Sequence, residues 1–159
     1  MPLYFSYGAN MDLETMRQHC PRARVLGRAT LMRHRWFIME SGYASVKRDA
    51  HSAVHGLLYD LPFADIPALD RYEDVGRGLY QKITQPVVRD GAAPMRALLY
   101  VGTSTKDGTS APAYLETILA AARAHNFPAQ YIAHVASFGA VGETGGAPIA
   151  RRAIKLKGI

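Results

Sequence analysis

The chain has 159 residues, is 48% apolar and 20% charged, and carries a formal charge of +6. That length suits one domain with a core that needs neither disulfides nor a structural metal, and a single cysteine, Cys20, excludes an internal disulfide. No apolar run approaches the ~20 residues that cross a bilayer, and the opening residues lack the pattern of a signal peptide, so a reducing cytoplasmic location is the expectation.

In chain order, the alternation from Leu3 to Tyr7 predicts a short strand. Asp12 has the chemistry of an N-cap for a brief helix that Pro21 stops. Val25 to Met39 predicts a strand or a bent pair of strands, and Ser41 to Ser52 a polar loop around a short strand. Val54 to Leu61 reads as a strand in which Gly56 permits a bulge or a close backbone approach. Asp65 can cap a helix that tolerates Pro67 in its first turn and carries Ile66, Leu69 and Glu73. Gly76 and Gly78 then permit unusual backbone angles.

Strands follow at Leu79 to Val88 and Met95 to Val101, joined by the turn signal Arg89-Asp90-Gly91. Pro112 opens a helix with the apolar stripe Leu115, Ile118, Leu119 and Ala122. Pro128 opens another, with Tyr131, Ile132, Val135 and Phe138 inward and Gly139 at its end. Residues from about 140 to 159 are glycine-rich and then basic, and read as a flexible tail on a single domain spanning 1–159. Strands early and helices late predict an α+β class with a mostly antiparallel or mixed sheet.

Arginines gather at Arg22, Arg24, Arg28, Arg33 and Arg35. Such a stripe can be a nucleic-acid footprint, but no nucleic-acid motif accompanies it, so a solvated strand face is the expectation. The glycines of the tail follow a helix rather than a strand and do not form a phosphate-cradling loop. His51 and His55 on a strand lie too far apart for one metal ion, and Cys20 reads as an inert thiol. No metal and no cofactor is expected.

One carboxylate stands apart. Glu73 lies seven residues after Ile66 and four after Leu69, on the inward face of its helix. Asp70 and Asp74 fall on another side and can remain solvated. Desolvation of an inward carboxylate raises its pKa, as suits a group that takes and returns a proton near neutrality. An outward swing of Glu73, or an ion pair with Arg71 or Arg77, stays open. The complementary half is the turn after the first strand, Tyr4-Phe5-Ser6-Tyr7-Gly8-Ala9-Asn10. Its backbone N–H groups can form a nest for an oxygen, with Tyr4 and Tyr7 as hydroxyl donors or an aromatic wall. The plainer alternative is aromatic core filling.

At these residues the sequence resembles the gamma-glutamylcyclotransferase family. Tyr4 to Asn10 stands where that family has an aromatic strand running into Tyr-Gly-Ser-Asn. Leu69-Asp70-Arg71-Tyr72-Glu73, followed by Tyr80, matches its glutamate-bearing helix end, and Ser110-Ala-Pro-Ala-Tyr114 its entry to a later helix. The resemblance implies a small β-barrel with flanking helices and a cavity holding the acid. It implies that Glu73 is the general acid/base when the α-amine of a γ-glutamyl group attacks its own γ-carbonyl, releasing 5-oxoproline and an amine. It also implies that Tyr4 to Asn10 bind substrate, with Tyr80 and Tyr114 positioning it.

Two departures stand out: Ala9 replaces the usual serine, and Asp74 a glycine often found after the glutamate. The expected partner is therefore a small γ-glutamyl molecule, without membrane or nucleic acid; homodimerisation is left open. The alternative is a non-catalytic member of the same fold that binds a small ligand or a partner.

Overall fold

The first strand, β1 (Leu3–Ser6), is only four residues long, yet it runs through the middle of the sheet. In the computed structural model, which describes residues 2–139, the five strands lie in the order β2-β3-β1-β5-β4. Here β2 is Arg24–Ile38, β3 Ala44–Asp60, β4 Tyr80–Val87 and β5 Met95–Gly102. β1 pairs antiparallel with β3, from Leu3 opposite Asp60 to Ser6 opposite Leu57, and parallel with β5 at Tyr4 and Leu98. An aromatic, apolar strand suits this central position, and Tyr4, Phe5 and Ser6 are all buried. The chain therefore leaves β1 in the interior of the sheet, and the turn that follows opens there.

Two expectations are corrected. Ser41 to Ser52 is not a loop around a short strand. β3 runs from Ala44 to Asp60 and pairs with β2 along a long hairpin, interrupted by a bulge at Asp49 to Ser52. Ala44, Ser45 and Val46 are buried, and Lys47 and Arg48 face Arg35 and His34 of β2. Asp49 to Ser52 then bulges out without a partner in β2, the Asp49 carboxylate accepting the His51 N–H at 3.0 Å and the Ser52 hydroxyl at 2.9 Å, so no apolar alternation announces this part of the strand. The closed barrel is also not formed. The outer strands β2 and β4 lie near each other, but among the described residues their pairing is one isolated bridge, between Thr30 and Val88 just after β4, and no ladder joins them. β2 bends through register shifts near Gly27 (φ 126°) and Arg33 (φ 59°), which curl the sheet without closing it.

The close approach expected at Gly56 is present: a Cβ there would collide with the Ser6 carbonyl and come within 2.6 Å of the Phe5 ring. The helices are α1 (Leu13–His19), α2 (Ile66–Tyr72), α3 (Pro112–Ala124) and α4 (Ala129–Ala136). Asp12 caps α1 as expected, its carboxylate accepting the Thr15 N–H at 2.9 Å. Asp65 does not cap α2 with its side chain; that carboxylate pairs instead with Arg22 at 2.7 Å. The stripe of α3 is buried, and α3 packs on the turn that follows β1. On α4, Val135 is buried and Tyr131 and Ile132 partly so, and Phe138, just past the end of the helix, is also partly buried.

Four of the five gathered arginines lie beside an aspartate: Arg22 by Asp65, Arg24 by Asp60, Arg28 by Asp90 and Arg35 by Asp107. Their field is thus locally compensated. Among the described residues no helix is long and apolar enough to cross a membrane, and no three His, Cys, Asp or Glu side chains cluster as metal ligands would. The basic tail lies outside the described residues.

Candidate active site

The turn after β1 is a short 3-10 segment, Ala9–Met11, closed by bonds from the Met11 N–H to the Gly8 carbonyl (3.0 Å) and from the Asp12 N–H to the Ala9 carbonyl (3.1 Å). In such a turn the leading N–H groups, here those of Ala9 and Asn10, have no acceptor within the turn itself. The surrounding side chains hold it rigidly. The Trp36 indole N–H donates to the Tyr7 carbonyl at 3.0 Å, the Tyr59 hydroxyl to the Asn10 carbonyl at 2.7 Å, and the Asn10 amide to the Tyr4 hydroxyl at 3.1 Å.

Glu73 arrives from the other side of the sequence. α2 ends at Tyr72, and Glu73 is its C-cap, with its N–H donating to the Leu69 carbonyl at 2.9 Å. The chain then turns through Asp74 in the left-handed region (φ 52°, ψ 41°). Glycine is at ease in that conformation, and aspartate is one of the few other residues that visits it. This accounts physically for a glycine in the related pattern and for its tolerable replacement here. The inward phase read from Ile66 and Leu69 holds at this terminus: Glu73 is 8% exposed.

These two pieces meet. A small cleft, partly open to solvent, is lined by Tyr4, Phe5, Ser6, Tyr7, Gly8, Ala9 and Asn10 from the strand and turn, and by Glu73 from the end of α2. Tyr80 from β4 and Tyr114 from α3 complete the set named from sequence. Burial, and next the nearby Glu73 carboxylate, hold the Tyr4 and Tyr7 hydroxyls well above their ordinary pKa. Both remain neutral phenols, so the cleft wall is aromatic and hydroxylic around a single carboxyl group.

The tyrosine hydroxyls are engaged in holding the wall together. The Tyr7 hydroxyl donates to the Tyr100 carbonyl and the Tyr80 hydroxyl to the Ala44 carbonyl. The Ala44 N–H in turn donates to the Tyr114 hydroxyl at 3.1 Å. Tyr80 and Tyr114 thus share one backbone unit at the start of β3.

Ala44 and Tyr100 line the cleft without having been read from the sequence. Ala44 falls in the polar segment whose sequence predicts a loop around a short strand. Tyr100 belongs to a strand with buried residues on both faces, so alternation could not say which way it points. Asp70, which could remain solvated, keeps 30% of its side-chain exposure and accepts a hydrogen bond from the Tyr100 hydroxyl at 2.7 Å and another from Lys82 at 2.9 Å.

Among solved structures, one described as a gamma-glutamyl cyclotransferase superposes with a TM-score of 0.83 at 20% identity, over 99% of each chain. An uncharacterised protein from Homo sapiens gives 0.81 at 21% identity, over 98% of this chain and 97% of its own. YkqA from Bacillus subtilis gives 0.74 at 19% identity, over 88% of this chain and 56% of its own. At such identities the likeness carries the fold, a mixed α+β architecture. No curated protein matches the sequence. The model of the AIG2-like family matches residues 53–135, just over half of the chain and a span that includes Glu73, Tyr80 and Tyr114. The chain belongs to the AIG2-like family.

Proposed function

We propose that the chain, acting as one domain, is a γ-glutamyl cyclotransferase. The observation that carries this reading is the shared cleft: one buried carboxyl group, Glu73, and the Tyr7 to Asn10 turn line the same hollow although they are more than sixty residues apart in sequence. In the proposed reaction the α-nitrogen of a bound γ-glutamyl group attacks its own γ-carbonyl carbon. The new C–N bond closes 5-oxoproline, and the original amide C–N bond breaks to release an amine.

Glu73 takes a proton from the attacking nitrogen and hands one to the departing nitrogen. The attacking nitrogen sheds two protons in all, and the leaving amine, once protonated in solution, accounts for the second. Turn N–H groups receive the oxygen on which charge develops. The aromatic walls fold the substrate so that its two ends meet, which supplies the orientation an intramolecular attack needs.

The test is direct. Purified protein is incubated with a panel of γ-glutamyl amino acids and γ-glutamyl amines, and 5-oxoproline is measured. Release from at least one member supports the reading; folded protein that releases none from any of them overturns it.

A further inference from the structure

The end of α2 is fastened by a junction that the proposed chemistry does not use. The Tyr100 hydroxyl donates to Asp70 Oδ1 at 2.7 Å, and Lys82 Nζ donates to Asp70 Oδ2 at 2.9 Å. Lys82 and Tyr100 are direct partners across β4 and β5, so they stand side by side on one face of the sheet. Asp70 answers both, one oxygen to each. It lies three residues before Glu73, one helical turn back along the same element.

A helix of seven residues has little stability of its own and takes its position from tertiary contacts. The buried Leu69 supplies packing, Tyr72 lies against the His19 ring at 4.1 Å between centroids, and the Asp70 junction adds direction. Tyr100 has a second tie, since its backbone carbonyl accepts the Tyr7 hydroxyl. One residue of β5 therefore links the end of α2 to the residues that enter the turn, the two halves of the cleft. Because the Tyr100 proton is committed to Asp70, only lone-pair density remains on that oxygen for anything in the cleft.

We infer that Asp70 is a positioning residue: by engaging Tyr100 and Lys82 together it holds the terminus of α2, and with it Glu73, in register with the turn after β1. The catalytic consequence rests on the cyclotransferase reading; the structural one does not.

The experiment uses the full chain and the variants Asp70→Ala, Asp70→Asn and Tyr100→Phe. Asp70→Ala is expected to lower kcat by about tenfold or more with KM changed less than about threefold, a misplaced group costing rate rather than affinity. Asp70→Asn, which keeps an acceptor for Tyr100, is expected to recover part of that loss. Independently of turnover, amide hydrogen exchange at Glu73, whose N–H is bonded to Leu69, is expected to quicken in Asp70→Ala while the amides of β1 and β3 keep wild-type protection.

Exchange and kcat both within about twofold of wild type would overturn the inference. So would exchange that quickens equally in every element, which marks general destabilisation. If wild type turns over no γ-glutamyl compound, the functional reading fails while the exchange comparison still decides the positioning role. If Asp70→Ala does not fold, Tyr100→Phe gives the same two readouts, with the same results supporting or overturning it.

Discussion

The Tyr114 hydroxyl accepts the backbone N–H of Ala44 at 3.1 Å, across 70 residues of sequence. Both residues are buried, and the bond ties α3 to the first residue of β3 at the cleft wall. Tyr114→Phe keeps the ring and its edge contact with Tyr43, whose centroid is 5.6 Å away, but leaves a buried N–H without that acceptor. The cost is expected to be about 1–3 kcal/mol. Urea unfolding measures it, and a variant as stable as wild type would show that the bond carries no net weight.

Glu73→Gln keeps shape and removes the proton-accepting carboxylate. Turnover of a γ-glutamyl substrate is expected to fall ~10²–10⁴-fold, the usual worth of a positioned acid/base. Calorimetry should still detect substrate binding. A variant that turns over as fast as wild type would remove Glu73 from the mechanism. Binding by both proteins with turnover by neither would instead favour the non-catalytic alternative.

Asp74 holds a left-handed conformation at φ 52° directly after Glu73. Comparing Asp74→Gly with Asp74→Ala removes the carboxylate from both and isolates the backbone. The glycine variant is expected to be the more stable by about 1 kcal/mol, because only the alanine keeps a Cβ that crowds the left-handed region. Equal midpoints in urea would mean that the chain relaxes out of this conformation at no cost.

Burial pushes the Cys20 thiol up to about 12 from an ordinary 9, with the Asp65 carboxylate adding in the same direction. The native thiol is therefore expected to resist alkylation at pH 8 and to react once the chain is unfolded. The linkage has a definite sign. A folded-state value above the unfolded one contributes stability that is fully present below pH 9 and is lost as pH rises from 9 towards 12. Prompt labelling of native protein at pH 8, in step with a free thiol, would contradict this burial.

Much of the local architecture was legible in the sequence. Asp12 announced α1, the apolar spacing of Leu115, Ile118, Leu119 and Ala122 announced α3, and Gly56 marked a place where backbones crowd. The ten residues named for the site all line one cleft. Inward phase and turn chemistry suggest Glu73 and the turn after β1 as complementary halves of a site, and the family resemblance joins them. The polar part of β3 is not legible, because it passes through a bulge at Asp49 to Ser52 and carries no apolar pattern. Local rules favour Asp65 as a cap, yet its carboxylate is drawn to Arg22, 43 residues earlier.

What the sequence by itself determined are features set within a few residues: the Asp12 cap, helical faces, turn glycines and the inward phase of Glu73. Hydrogen bonds and side-chain directions at i+3 and i+4 obey fixed local geometry, so residue identities suffice to read them. The tertiary structure alone decided that the sheet stays open, that Tyr100 and Ala44 wall the cleft, and that Asp70 meets Tyr100 and Lys82. Each of those depends on strand register and on contacts between segments far apart in the chain. A shift of one residue in β5 would turn Tyr100 to the opposite face, and nothing local to that strand selects between the two.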